Sequence, residues 1–192
     1  MPKAKRYTYD YPMVGHTVDA VVFGVNTAQA SEALHLLLIQ RGDDPFKDSW
    51  ALPGGYVHID EEAVDAVSRE LKEETTVDLK LSPLGAFSGV GRDPRGRVIS
   101  EAFMTLVCLD RLTIEGRDDA KEARWFSTKD LPQLAFDHHK IITMAFSHLE
   151  TQLVHPSLDW GRLLRGFQIE ELPSVYGAIQ ETLKFSQFER FQ

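Results

Sequence analysis

The sequence predicts an α/β protein, and three observations carry that expectation. Two aliphatic, β-branched runs, "HTVDAVVFGV" from His16 and "ALHLLLIQ" from Ala33, stand on either side of the polar loop "NTAQASE", as paired strands do. The period then switches: Ala63, Val67 and Leu71 recur at four-residue spacing, with Val64 beside them, marking an amphipathic helix from about Glu62 to Thr75. Strand-like runs return after it and give way to a further segment of helical period.

Between the second strand and the helix, "RGDDPFKDSWALPGG" is punctuated by Gly and Pro and reads as a loop, with Trp50 and Pro53 shaping its approach to Gly54 and Gly55. Beyond the helix, "LGAFSGV", "VISEAFMTLVCL" and "EARWFS" read as strands, the first two separated by the loop "GRDPRGR". Asp137 is the expected N-cap of a helix beginning at His138 that carries Ile141, Ile142, Ala145, Phe146 and Leu149 inward. From Thr151 the character changes. "HPSLDWGRLLRGF" reads as an irregular connection, and "IEELPSVYGAIQETLKF" as a helix with Leu172, Val175, Tyr176, Ile179 and Leu183 on one face; Pro173 is tolerable in its first turn. The expected division is a domain over residues 1–150 and a C-terminal helical extension over 151–192.

Composition narrows the function classes. The 192 residues are 43% hydrophobic and 26% charged, ordinary for a soluble domain that buries a core without staples. One cysteine, Cys108, inside "FMTLVCLD", excludes a disulfide framework and reads as a buried structural thiol in a reducing cytoplasm. The start, "MPKAKRYTYDYP", is basic, yet no apolar stretch of signal or membrane-span length follows it. A net charge of −8 argues against broad binding to a phosphate backbone.

Against that background the helix from Glu62 is unusual. At 100° per residue, Glu70, Glu73 and Glu74 share one face while Val67 and Leu71 point into the core. Like charges so spaced destabilise a helix by a few tenths of a kcal/mol, so a purely solvated face would gain from a lysine among them. Arg69 stands beside Glu70 and can reach back to Asp60 and Glu61, and the Gly54–Gly55 turn lets a backbone carbonyl approach a bound ion. Oxygen ligands of this kind suit Mg²⁺ or Mn²⁺ rather than zinc.

Gly55, five residues, Glu61, seven residues and then "RELKEETTV" from Arg69 to Val77 resemble the Nudix box, GX₅EX₇REUXEEXGU with U aliphatic. Every defined position agrees except Thr76, where the pattern has glycine. "DPFKDSWALPGG", "GRDPRGR", "EARWFSTKDLP" and "AFDHHKI" also look like the ADP-ribose branch of Nudix proteins, so the resemblance runs from about Tyr11 to Phe146. It implies an α/β/α sandwich with a mixed sheet. It further implies that Glu70, Glu74 and the Gly54 carbonyl bind a divalent metal, with Glu73 assisting, and that Arg69 and Glu61 orient those ligands. Thr76 falls at the helix C-terminus, where glycine takes a left-handed conformation at low cost; threonine there is expected to cost about 1 kcal/mol without removing a ligand.

A carboxylate cluster holding Mg²⁺ is suited to cleaving a diphosphate with water. The resemblance therefore implies hydrolysis of ADP-ribose or a related nucleoside diphosphate sugar to a nucleoside monophosphate and a sugar phosphate. Glu122 is the first candidate for the general base and Glu101 the second. Arg92, Arg95 and Arg97, in one short loop, suit phosphate oxygens, and Arg41 is a further candidate facing the diphosphate. Tyr7, Tyr9, Tyr11, Phe87 and Phe103 are available to stack on a base. His138 and His139 point about 100° apart on a helix and so do not both face one ion, which leaves them a helix-start and packing role; His35 and His58 read as structural or rim residues.

The same branch includes regulators of NAD metabolism that sense ADP-ribose and bind DNA through a C-terminal winged helix, and "FQIEELPSVYGAIQETLKFSQFERF" resembles the opening of such a domain. Ending at Gln192 before any wing strand, and without an excess of basic residues, the tail is expected not to read DNA. Its apolar face fits a dimerisation helix, and a homodimer is expected.

Overall fold

The computed structural model describes residues 10, 13–29, 32–116, 120–156 and 158–189, with backbone only at 158–159 and 185–189. Tyr7, Tyr9, Tyr11 and Arg190 lie outside the described residues.

A seven-stranded mixed sheet organises the chain. Its long central pair is parallel: β1 (Gly15–Val25) runs beside β6 (Val98–Cys108) in unbroken register from Gly15 opposite Val98 to Val25 opposite Cys108. Outside β6 lies β5 (Ser82–Phe87), antiparallel; on the other side of β1, β2 (His35–Arg41) follows, and β7 (Ala120–Ser127) pairs with the outer edge of β2. Alternation along the strands sends successive side chains to opposite faces. Val21, Phe23 and Val25 with Ala102, Met104 and Leu106 face one way, and Val18, Ala20 and Val22 with Phe103 and Val107 face the other.

Helices cover both faces. On the second face lies α1 (Ala63–Thr75), burying Ala66, Val67 and Leu71, while Val64 is exposed. On the first lie α2 (His138–Val154), α3 (Leu158–Leu163) and α4 (Leu172–Glu189). This is the expected α/β/α sandwich. Val175, Ala178, Ile179 and Leu183 of α4 are buried in the same cluster as α2 and the sheet, and Thr182 Oγ1 accepts the Leu34 N–H at 2.8 Å. The apolar face of the tail is thus used within the chain.

Several local expectations change. "HPSLDWGRLLRGF" is not wholly irregular: Trp160 and Leu163, three residues apart, are buried and dock α3 on the core. The last helix opens as a 3₁₀ turn, Ile169–Glu171, with a reciprocal capping box between Gln168 and Glu171, before α4 begins. Asp137 precedes α2 as expected but makes no side-chain cap bond, because its carboxylate is taken by Arg92.

The segment expected as a loop before Gly54 contains two short strands, β3 (Trp50–Ala51) and β4 (Gly54–Tyr56). They exist because β1 and β2 pair only at Phe23–Leu36 and Gly24–His35 and then splay. β3 takes the vacated edge of β2, at Ile39 and Gln40, and β4 that of β1, at Thr17 to Asp19. Backbone groups that would otherwise be orphaned find partners there.

Candidate active site

The splay opens a cavity of about 300 Å³ between the inserted segment, the N-terminal half of β1 and the start of α2. Thr17, Val18 and Asp19 form one wall, Gly54, Gly55 and Tyr56 another, and Glu70 enters from α1. Arg41, Arg92, Arg95, Phe136 and His138 complete it.

On the α1 side, one guanidinium gathers the acids. Arg69 Nε and Nη2 donate to the two oxygens of Glu61 at 2.7 and 2.9 Å, and Nη1 donates to Glu70 at 2.8 Å and Glu73 at 3.0 Å. Nη2 also donates to the Tyr56 carbonyl at 3.1 Å, which ties the clamp to β4. The Arg69 bond, against the opposing effect of burial, holds the Glu61 carboxyl down to about 2, and the same partners raise Arg69. Asp60 makes no such contact with Arg69. Glu74, 3% exposed, accepts the Gly54 N–H at 2.9 Å.

Both glycines of the turn are needed for their lack of a side chain. A Cβ on Gly54 would sit 2.1 Å from the Val18 carbonyl oxygen, and one on Gly55 2.5 Å from the Glu70 carboxylate. Thr76 caps α1 in the left-handed conformation, φ 67°, with its N–H donating to Lys72 O at 3.0 Å. The geometry that the family pattern reserves for glycine is kept, and a β-branched residue adopts it.

The opposite wall is a buried network that sequence reasoning missed. Asp19 accepts from Ser100 Oγ at 2.5 Å and faces His138 Nε2 at 3.3 Å and Arg92 Nη2 at 3.5 Å. Arg92 in turn holds Asp137 at 2.8 Å. His138 Nδ1 accepts the Leu52 N–H at 2.9 Å, so the proton of the neutral ring sits on Nε2, toward Asp19. Burial pushes the His138 pKa down; the carboxylates of Asp19 and Asp137 oppose that, and the charges of Arg92 and Arg41 add to it. The one available signal is Asp19 itself, an acid inside the apolar run "VDAVVFGV".

The expected arginines separate. Arg95 lines the cavity, bound to Asp93 through Nη2 at 2.7 Å, and lies over the rings of Tyr56 and Phe136 at 5.3 and 5.8 Å. Arg41 also lies over Phe136, at 5.0 Å, and donates to the Pro45 carbonyl. Arg92 lines the cavity from within the buried network. Arg97 donates to the Ser88 and Gly89 carbonyls and is outside the lining. Glu122 bonds Arg124 on β7 and Glu101 bonds His16; neither lines the cavity. Phe87 packs against the first-face core and Phe103 is buried in the second. His139 is exposed on α2, where His138 is buried, and Cys108 is a buried thiol.

Among the described residues no three acidic, histidine or cysteine side chains converge closely enough to hold a metal. Glu70 and Glu73 nevertheless bond the same nitrogen of Arg69, which gathers two oxygen donors of the kind that suits a hard cation. No helix among them is long and apolar enough to cross a membrane.

Comparison with known proteins identifies the family. Residues 15–145 match the NUDIX domain model. An ADP-ribose pyrophosphatase of Methanocaldococcus jannaschii is 51% identical over 108 residues, which are 56% of this chain and 63% of that protein, so the chain spans less than two thirds of that relative. An ADPR responsive transcriptional repressor NtrR of Acinetobacter baylyi is 30% identical over 175 residues, 88% of this chain and 68% of the repressor. The crystal structure of a MutT/nudix family protein from Enterococcus faecalis superposes with a TM-score of 0.77 at 30% identity, over 96% of this chain and 83% of that one. With its box intact but for Thr76 and its fold that of the family, the chain belongs to the Nudix proteins.

Proposed function

We propose that this chain hydrolyses the diphosphate bond of ADP-ribose or a related nucleoside diphosphate sugar, giving a nucleoside monophosphate and a sugar phosphate, with Mg²⁺ as cofactor and Mn²⁺ as the alternative ion. The observation that carries this reading is the Arg69 clamp on Glu61, Glu70 and Glu73, which opens on a cavity walled by arginines. Beside it Glu70, Glu73, Glu74 and the Gly54 carbonyl would hold the cation, which would neutralise diphosphate charge and acidify water. Arg69, itself held by Glu61, keeps Glu70 and Glu73 aimed. Arg41 and Arg95 meet the phosphates, while Phe136 and Tyr56 offer flat apolar surface to the base or sugar. Water supplies the oxygen to one phosphorus, and the bridging oxygen leaves on the other.

Glu122 pairs with Arg124 and Arg97 bonds the Ser88 carbonyl, both away from the cavity, so the reading assigns neither the base nor a substrate contact to them. The reading includes a cytoplasmic homodimer. Since α4 uses its apolar face inside the chain, the dimer surface lies elsewhere.

The test is release of AMP from ADP-ribose with Mg²⁺, for wild type and Glu74→Gln. Tight ADP-ribose binding with no AMP release by the wild type would sink the enzyme in favour of a sensor. That second reading is favoured by the alignment with the repressor, which at 175 residues must extend beyond the 15–145 Nudix match into the tail. Under it, the protein would retard DNA in a gel and ADP-ribose would release it.

A further inference from the structure

A second cavity, about 340 Å³, shares no lining residue with the first. It lies where β6 runs on past its pairing with β5, at Thr105 to Cys108, and is roofed by α3 and the turn after it. Thr105 is opposite Val22 and Cys108 opposite Val25 on β1, so it is roughly 10–20 Å along the strands from Asp19.

Its chemistry differs from that of the active site. Leu79, Leu106 and Leu112 give it an apolar floor to which Leu163 of α3 adds from above, and its charged lining residues are Lys80, Arg111, Arg162 and Arg165, with no acid among them. In a chain of net charge −8, a lining of one sign and the opposite sign to the whole is not what chance exposure supplies. Arg111 is fixed by the Glu171 carboxylate and the Gly166 carbonyl. Lys80 and Arg165, both exposed, have no carboxylate partner among the described residues. Apolar lining with a few convergent polar groups, at this volume, is the makeup of a small-molecule site.

We propose that this cavity binds a small organic anion, a carboxylate or phosphate monoester carried on an apolar body, with the anion between Lys80 and Arg165 and the body on the leucine floor. Lys80 belongs to the Nudix body and Arg165 to the tail, so the ligand bridges the two. The site stands apart from the diphosphate hydrolase reading and does not depend on it.

The full chain is titrated with 8-anilinonaphthalene-1-sulfonate, an aromatic body with one anionic group, followed by fluorescence. Expected are saturable binding, displacement by octanoate and octyl phosphate, and weaker displacement by 1-octanol or inorganic phosphate. Lys80→Glu with Arg165→Glu should weaken the dye about tenfold, while the exposed control Lys47→Glu leaves it unchanged. Equal displacement by octanol would overturn the anionic half of the proposal, and equal displacement by inorganic phosphate the apolar half. Dye binding that survives the double variant, or that ADP-ribose displaces competitively, would place the dye elsewhere and overturn the site. Circular dichroism of the double variant keeps a folding failure apart from a lost site; should it fail to fold, Arg165→Gln alone, with an unchanged dye affinity counting against the proposal, takes its place.

Discussion

The two walls of the active cavity treat charge in opposite ways. On the α1 wall Arg69 bonds Glu61, Glu70 and Glu73 together, and Glu74 is steadied by a backbone N–H. On the β1–α2 wall the signs alternate, Asp19, Arg92, Asp137, with His138 and Ser100 filling the remaining positions. The first gathers four carboxylates around one arginine and is suited to take up a cation; the second sets two carboxylates, one arginine and a neutral imidazole in mutual contact and is suited to stay still. The difference teaches that side chains crowded at one cavity need not share one role. Substitutions on the first wall should show in turnover, and on the second in stability.

The sharpest test of the first wall is Glu70→Gln, expected to lower ADP-ribose turnover about 10²- to 10³-fold while leaving the melting temperature nearly unchanged, since it also relieves repulsion within α1. A variant that unfolds instead would break the contrast. On the second wall Arg92→Met should cost about 3–5 kcal/mol in urea unfolding, because it leaves Asp19 and Asp137 buried without their partner. A loss of turnover without loss of stability would move Arg92 to the first class.

Acid should separate the walls as well. His138 is held below its ordinary value near 6.5, so the unfolded chain takes up a proton before the folded one does. Its contribution to stability is full above 6.5 and falls as pH drops below it, by up to about 1.4 kcal/mol per pH unit. His138→Gln should flatten that part of the profile. Glu61, ordinarily near 4.5 and here about 2, loses its contribution only as pH falls from 4.5 toward 2. Fading stability in the upper window that persists in His138→Gln would acquit the histidine. The smallest effect is expected at Thr76→Gly, which relieves a left-handed threonine and should stabilise by about 0.5–1 kcal/mol with activity intact.

The α1 wall is legible in the sequence because its grammar is local: Arg69, Glu70, Glu73 and Glu74 lie within two helical turns, and even the left-handed cap at Thr76 follows from the pattern. The other wall is not. Arg92 finds Asp137 45 residues away, Ser100 finds Asp19 across 81, and His138 finds Leu52 across 86, and no spacing rule spans such gaps. Helical geometry alone gives His138 a packing role facing away from His139, but not its place in the cavity. β3 and β4 are hidden for a related reason: a segment of Gly, Pro and Trp becomes strand only because two other strands leave an edge open. In the tail, α3 is held by Trp160 and Leu163 against a sheet encoded far upstream.

That open edge has a kinetic meaning. The chain around the Gly54–Gly55 turn is bonded on both sides: the Pro53 carbonyl accepts from Ala20, the Gly54 N–H donates to Glu74, and the Val57 N–H donates to the His16 carbonyl. Amide hydrogens at Gly54 and Val57 should therefore exchange with deuterated water on the slow timescale of the sheet interior rather than that of a surface turn, and a diphosphate would meet a cradle already set before it arrives.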